Sequence, residues 1–284
     1  MKVFIMTDLE GVSGVNGCAD DSVGNRIANK EAANHLLVEE INAVVAGLVD
    51  AGAEEITVVD GHGGSDSISI EALHQNASLY VSRGGLAPVN IIDSSYDATL
   101  HIGTHAMMGV ADGFLNHTFN SHAVDVMKLN GEPVGEIAIE ALICAYFGVP
   151  TVLISGDKAA CREAKEFLAE VETVETKTGI SRYTVLNRNP LSVREELRMK
   201  ARKALLEKNS FSIKRINPPY SLEIRLMCPN QADSYEMRGA KRLDHQTVLL
   251  QSDDFMDLWA QRNGWAPGVH NACFGIRSWL KDRK

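Results

Sequence analysis

The chain has 284 residues, 45% hydrophobic and 23% charged, a composition that excludes disordered, collagen-like and low-complexity classes. Twenty-eight Lys and Arg stand against 37 Asp and Glu, a net charge of −9, which repels phosphate backbones and argues against nucleic-acid binding. The five cysteines, Cys18, Cys144, Cys161, Cys228 and Cys273, contain no C-x-x-C pair, so a reducing, cytoplasmic setting is expected, without a disulfide framework or a cysteine zinc site.

Val3 to Met6 is an apolar run cut at Thr7 and Asp8, too short for a signal-peptide core, and it reads as a buried strand opening into a loop. Asn29 can cap a helix from Lys30 to Asp50, with Ala33, Leu37, Ile41, Val44 and Leu48 on one face and Gly52 as the stop. Ile56 to Val59 is a second buried strand, and the strand–helix–strand order predicts that it lies parallel to the first. Ala98 to Gly103 is a third strand, and Ala123 to Leu129 a more exposed one before an Asn130-Gly131 turn. A helix from Gly135 to Tyr146, a strand from Thr151 to Ser155 and an Asp157-capped helix to Leu168 follow. The most apolar later stretch, Ile137 to Ile154, is interrupted by Glu140, Gly148 and Pro150, so no membrane span is expected.

Beyond Asn187-Arg188-Asn189-Pro190, read as a loop, Ser192 and Glu195 have capping-box spacing before a charged helix to Lys208. Pro218-Pro219 is a rigid joint. Strands are expected at Leu222–Leu226 and Thr247–Leu250, and a last helix opening at Asp253. The expectation is an α/β fold, a mainly parallel sheet with flanking helices, plus a smaller mixed α+β C-terminal part. Residues 1–187 form the first part and 188–284 the second, packed as one larger unit.

Acids and histidines gather at the strand ends. Asp8 and Glu10 follow the first strand, and side chains at i and i+2 of extended backbone share a side. Asp60 and His62 follow the second strand, and His105 the third. Ligands in open parallel sheets bind outside the carboxyl ends of the strands, so Asp8, Glu10, His62 and His105 should meet on one rim. Glu136, opening a helix, can close the set. Each alone has an ordinary explanation as a cap, a tight turn or a first-turn acid. Together, three carboxylates and two imidazoles suit zinc, and also manganese or cobalt. Asp8, with two oxygens, is the natural bridge between two cations, and Asp60 is read as an acid orienting a ligand imidazole. His117 is a candidate proton carrier; His122 competes with it, and His101, inside a strand, is structural. Dinucleotide, P-loop, H-E-x-x-H and G-x-S-x-G signatures are absent.

Met6–Gly14 (MTDLEGVSG), Val58–Gly64 (VVDGHGG), Ile102–Ala106 (IGTHA), Asn116–Thr118 (NHT) and Pro133–Glu136 (PVGE) resemble, in that order, the D-aminopeptidase family of the bacterial dipeptide-transport operon. The resemblance implies a zinc-dependent, self-compartmentalising metallopeptidase that hydrolyses short peptides with two divalent ions per site. It implies that Asp8 bridges the ions, that Glu10 and His105 complete one and His62 and Glu136 the other, and that His117 is catalytic. It also implies a homo-oligomer, a decamer built from rings. The family's serine before the catalytic histidine is Asn116 here, and the segment from Asp66 to Tyr96 and the chain after Asp157 are less similar. Other readings stay open: a two-metal hydrolase of another amide or of a phosphate ester, or a peptide-binding protein with structural metals.

Overall fold

A computed structural model describes residues 1–18, 26–63, 65–81 and 91–265; Gly64 and Cys273 lie outside them. The elements run β1 (Lys2–Thr7), β2 (Gly17–Cys18), β3 (Arg26–Ile27), α1 (Lys30–Asp50), β4 (Glu55–Asp60), β5 (Ala77–Tyr80) and β6 (Ala98–Thr104). There follow β7 (Val124–Leu129), β8 (Glu132–Pro133), α2 (Glu136–Tyr146), β9 (Thr151–Asp157), α3 (Lys158–Leu168), β10 (Glu172–Ser181) and β11 (Thr184–Asn187). The chain continues through α4 (Pro190–Leu206), β12 (Tyr220–Leu226), α5 (Pro229–Glu236), β13 (Lys241–Arg242), β14 (Thr247–Ser252) and α6 (Phe255–Asn263).

Seven strands form the main sheet in the order β11-β10-β9-β6-β1-β4-β5, all neighbours parallel except β10 and β11. This is the α/β fold expected. A five-stranded antiparallel sheet, β13-β14-β12-β7-β8, is the second layer system. The main sheet ends at Asn187, where the two parts are expected to divide, but the smaller sheet draws β7 and β8 from before that point. The helix that follows, α4, packs on α1 against the main sheet.

β1 shows why an interior strand is apolar from Val3 to Met6. Val3 and Ile5 enter a core with Leu37, Ile41, Val44, Leu48 and Leu197. Phe4 and Met6 enter a second core with Ile139, Ile143, Leu222, Ile224 and Trp259. Successive side chains alternate between two covered faces, so apolar residues suit both. The apolar content of α1 serves the first core: Leu37, Ile41, Val44 and Leu48 are fully buried, each stabilising the fold by about 1.5–3 kcal/mol relative to exposure. Asn29 caps α1, accepting from the Ala32 N–H.

Two helix starts differ from expectation. Asn189 caps α4, accepting from Leu191, with Pro190 at the first helical position, so the helix begins before Ser192. Proline fits there because that N–H has no partner in any helix. Asp254, not Asp253, caps α6 through the Asp257 N–H.

Candidate metal centre

The parallel register builds the rim. Thr7 pairs with Asp60 in β4 and with Ile102 in β6, so the residues just past these positions emerge together. Past Thr7 the loop stays close to β6: the Asp8 N–H donates to Ile102 O and the Gly11 N–H to Gly103 O, each at 2.8 Å. That approach needs glycine on both sides. A Cβ on Gly11 would lie 1.9 Å from Thr104 O, and one on Gly103, whose φ is +77°, 2.2 Å from Asp8 O.

Asp8 stands at the centre. His62 Nδ1 is 3.0 Å from its Oδ1 and 3.1 Å from Glu10 Oε2. His105 Nε2 is 3.1 Å from its Oδ2 and 3.2 Å from Glu136 Oε1. His117 stacks on His105, centroids 3.9 Å apart and planes 15° apart, with Nε2 3.8 Å from Glu136 Oε1. The structure thus brings Asp8, Glu10, His62, His105, Glu136 and His117 together. His122 is exposed. His101 is buried in β6, where desolvation pushes its pKa down to about 4.

Backbone carbonyls set two of the imidazoles. His105 Nδ1 donates to Ala106 O and His117 Nδ1 to Leu115 O, both at 3.0 Å. Their Nε2 atoms are thereby aimed at the carboxylates. The His117 loop is held firmly. Asn116 donates to Val110 O and Gly113 O and accepts from Gly109 N. Leu115 and Phe119 take left-handed φ values of +49° and +59°, and the Phe119 N–H donates to Glu136 Oε1 at 2.6 Å.

The donor set fits divalent cations. Among the described residues, Glu10 Oε2 and His105 Nε2 are buried with no hydrogen-bond partner, although each lies close to an opposing polar atom. Three carboxylates against two imidazoles leave negative charge in need of a cation. Burial would raise the Asp8 pKa, but His105 and His62 hold it well below the ordinary value. Burial likewise opposes protonation of His62, yet Glu10 and Asp8 carry its pKa up to about 11. Ligand atoms of Asp8, Glu10 and His105 fall within 4.8 Å of one another, as do those of His105, His117 and Glu136.

The sequence pattern points Asp60 at a ligand imidazole, and the structure shows a further use of this acid. Asp60 Oδ2 accepts from the Ser67 and Ile68 N–H groups, pinning the loop after His62, and Oδ1 has no hydrogen-bond partner. Lys177 escapes sequence reasoning altogether. It is buried in β10, and its Nζ donates to Glu10 O and Val15 O, each at 2.8 Å, which fixes the loop carrying Asp8 and Glu10. Desolvation pushes its pKa down to about 7 and that of the nearby Glu40 up to about 7. A lysine in the pattern ETVETKTG carries no signal of burial, because its partners are carbonyls distant in sequence.

A sequence profile described as D-aminopeptidase matches residues 1–262. A D-aminopeptidase of Bacillus subtilis (strain 168) is 30% identical over 266 residues, 91% of this chain and 94% of the relative. A solved structure, described as the Zn-dependent D-aminopeptidase DppA from Bacillus subtilis, a self-compartmentalizing protease, superposes with a TM-score of 0.85. It is 26% identical, over 92% of this chain and 95% of that one. With the profile spanning nearly the whole length and the rim geometry beneath it, this chain belongs to the D-aminopeptidase family of peptidases.

Proposed function

We propose that this chain is a metal-dependent aminopeptidase that hydrolyses short peptides, prefers a D-residue at the amino end, and works in the cytoplasm as a ring-based homo-oligomer, a decamer. One observation carries the proposal: five donor side chains from four separate segments meet around the Asp8 carboxylate, with the His117 imidazole stacked beside them. In this reading Asp8 is shared by two cations, Glu10 and His105 complete one site, and His62 and Glu136 the other. Zinc is the expected metal, given the mixed oxygen and nitrogen donors and the zinc dependence named for the relative. Two bound cations would supply a nucleophile at neutral pH and polarise the scissile carbonyl.

The chain's own residues do the rest. Lys177 and the Gly11–Gly103 contact hold the Asp8–Glu10 loop against β6. His117, its Nδ1 committed to Leu115 O, presents Nε2 beside Glu136 and can hand a proton to the departing amine. Free cysteines at positions 144, 161 and 228 suit a reducing compartment. Ile180 and Leu186, exposed at the β10–β11 edge, support self-association, which mass photometry reads directly.

The test is metal analysis of pure protein with a panel of D and L dipeptides. A chelator should abolish hydrolysis and zinc, manganese or cobalt should restore it. A nitrophenyl phosphate cleaved in preference to an aminoacyl anilide would move the site to phosphate esters. Retention of full peptide hydrolysis after verified removal of the metals would end the proposal.

His117 has a second reading, favoured by the closeness of its ligand atom to those of His105 and Glu136: it could be a ligand itself. His117→Ala separates the two. A proton carrier leaves the metal content at the wild-type value and costs about 10²–10⁴-fold in kcat. A ligand takes an ion with it.

A further inference from the structure

Arg262, near the end of α6, lies on the Glu136 side of the rim. Its guanidinium carbon sits 4.6 Å from the Phe119 ring centroid and 5.0 Å from that of Trp259, and these two rings pack 5.0 Å apart. Nη1 donates to Asn263 Oδ1 at 2.8 Å, and Asn263 is itself held by Trp259 O. Nε is enclosed and has no hydrogen-bond partner. Phe119 joins this arginine to the metal centre: its ring carries the guanidinium and its N–H binds Glu136.

Among the described residues no carboxylate forms an ion pair with Arg262, and the groups whose fields favour its charge are Tyr235 and then Glu136. Arg238 adds a second cation nearby. It spends Nε on Ser234 O, rests on the Tyr235 ring and forms no ion pair among the described residues either. Two guanidinium groups thus lie close together in a chain of net charge −9, one of them resting on two aromatic rings with an enclosed N–H that has no hydrogen-bond partner among the described residues. Burying a cation without a partner is costly, and an anion that binds there offsets the cost. A planar fork suits a carboxylate, which can take two parallel N–H bonds.

We propose that Arg262, assisted by Arg238, binds the free C-terminal carboxylate of the peptide, so that the site selects short peptides that end within reach of Phe119. This rests on the aminopeptidase reading of the metal centre and deepens it: one end of the substrate lies at the metals and the other at the guanidinium. A peptide whose carboxylate lies farther along the chain loses the contact.

The experiment compares two probes, D-alanyl-D-alanine and its C-terminal carboxamide, as substrates, and their uncleavable reduced-bond analogues as ligands in calorimetry. Wild type should favour the free acid by about tenfold or more in KM and in Kd, the range for hydrogen bonds to charged groups. In Arg262→Met that ratio should fall to near one, and in Arg262→Lys, which keeps the charge and loses the fork, it should lie between. Arg238→Ala, at an exposed position that folding tolerates, should reduce the ratio by a smaller factor. A wild type that binds acid and carboxamide analogues equally overturns the inference. So does an unchanged ratio in folded Arg262→Met, or tighter binding of phenyl phosphate than of the acid analogue. The two readings fail separately. Acid-selective, Arg262-dependent binding without cleavage would remove the peptidase and keep the carboxylate site; chelator-sensitive cleavage without acid preference would do the reverse.

Discussion

Asp8→Ala is expected to leave the protein folded, metal-poor and inactive. Each oxygen of this carboxylate faces a different imidazole, Oδ1 toward His62 and Oδ2 toward His105, so its removal withdraws a donor from both halves of the centre at once. No other side chain in the set touches both histidines. Elemental analysis after dialysis should find the metal content reduced from the proposed two ions per chain to one at most. Losing Lewis-acid stabilisation costs several kcal/mol in the transition state, so kcat/KM should drop on the order of a thousandfold. Asp8→Asn, which keeps one carbonyl oxygen in the same space, should recover part of the metal content and little of the rate. Wild-type metal content in Asp8→Ala would show that the aspartate does not hold the ions.

Gly11→Ala should have the next largest effect, and it acts through the backbone. Its Cβ would meet Thr104 O at 1.9 Å and the Gly103 carbonyl carbon at 2.7 Å. Both are main-chain atoms of β6 and its exit, so nothing can swing aside; the loop must back away and break the Gly11 N–H to Gly103 O bond. Such overpacking costs about 3 kcal/mol or more. In a chain of this size that lowers Tm by roughly 5–10 °C. The retreat also carries Asp8 and Glu10 away from His105, so metal affinity should weaken in the same variant. Gly131→Ala is the comparison: φ is +89°, but nothing lies within 4 Å of the added methyl. It should cost about 1 kcal/mol and leave metal binding intact. Equal thermal shifts in the two variants would mean that the close approach to β6 is not what Gly11 is for.

The elements legible in the sequence are those whose burial is written in apolar spacing. β1, β4, β6 and β9 are short apolar runs, α1 is an amphipathic helix, and the strand–helix order forecasts their parallel pairing. The rim residues follow from the same logic, since side chains just past aligned strand ends must meet. What escapes is held by other means. β10 is rich in polar residues, and it is held in the sheet interior because Thr176 and Lys177 bond to carbonyls of Gly11, Gly156, Glu10 and Val15, groups that no local pattern reveals. α5 is eight residues long and buries one alanine, too little for a periodic signal. The backbone contacts of Asp60 are not foreseen because the sequence does not say that the loop after His62 folds back to offer two N–H groups. Arg262 and its aromatic neighbours are 143 positions apart at the extreme, by subtraction of Phe119 from Arg262, and they meet only when α6 lies beside the His117 loop.

The donors come from the exits of β1, β4 and β6 and the first turn of α2, and none of these segments supplies a complete ligand set. A zinc finger gathers its ion from a few neighbouring residues and folds around it. Here the sheet has to be assembled before any cation finds its coordination, so any bound ions arrive as late passengers. Stripping them should loosen the rim and leave the hydrophobic layers standing, and a metal-starved cell would accumulate intact, idle protein ready to be switched on when supply returns.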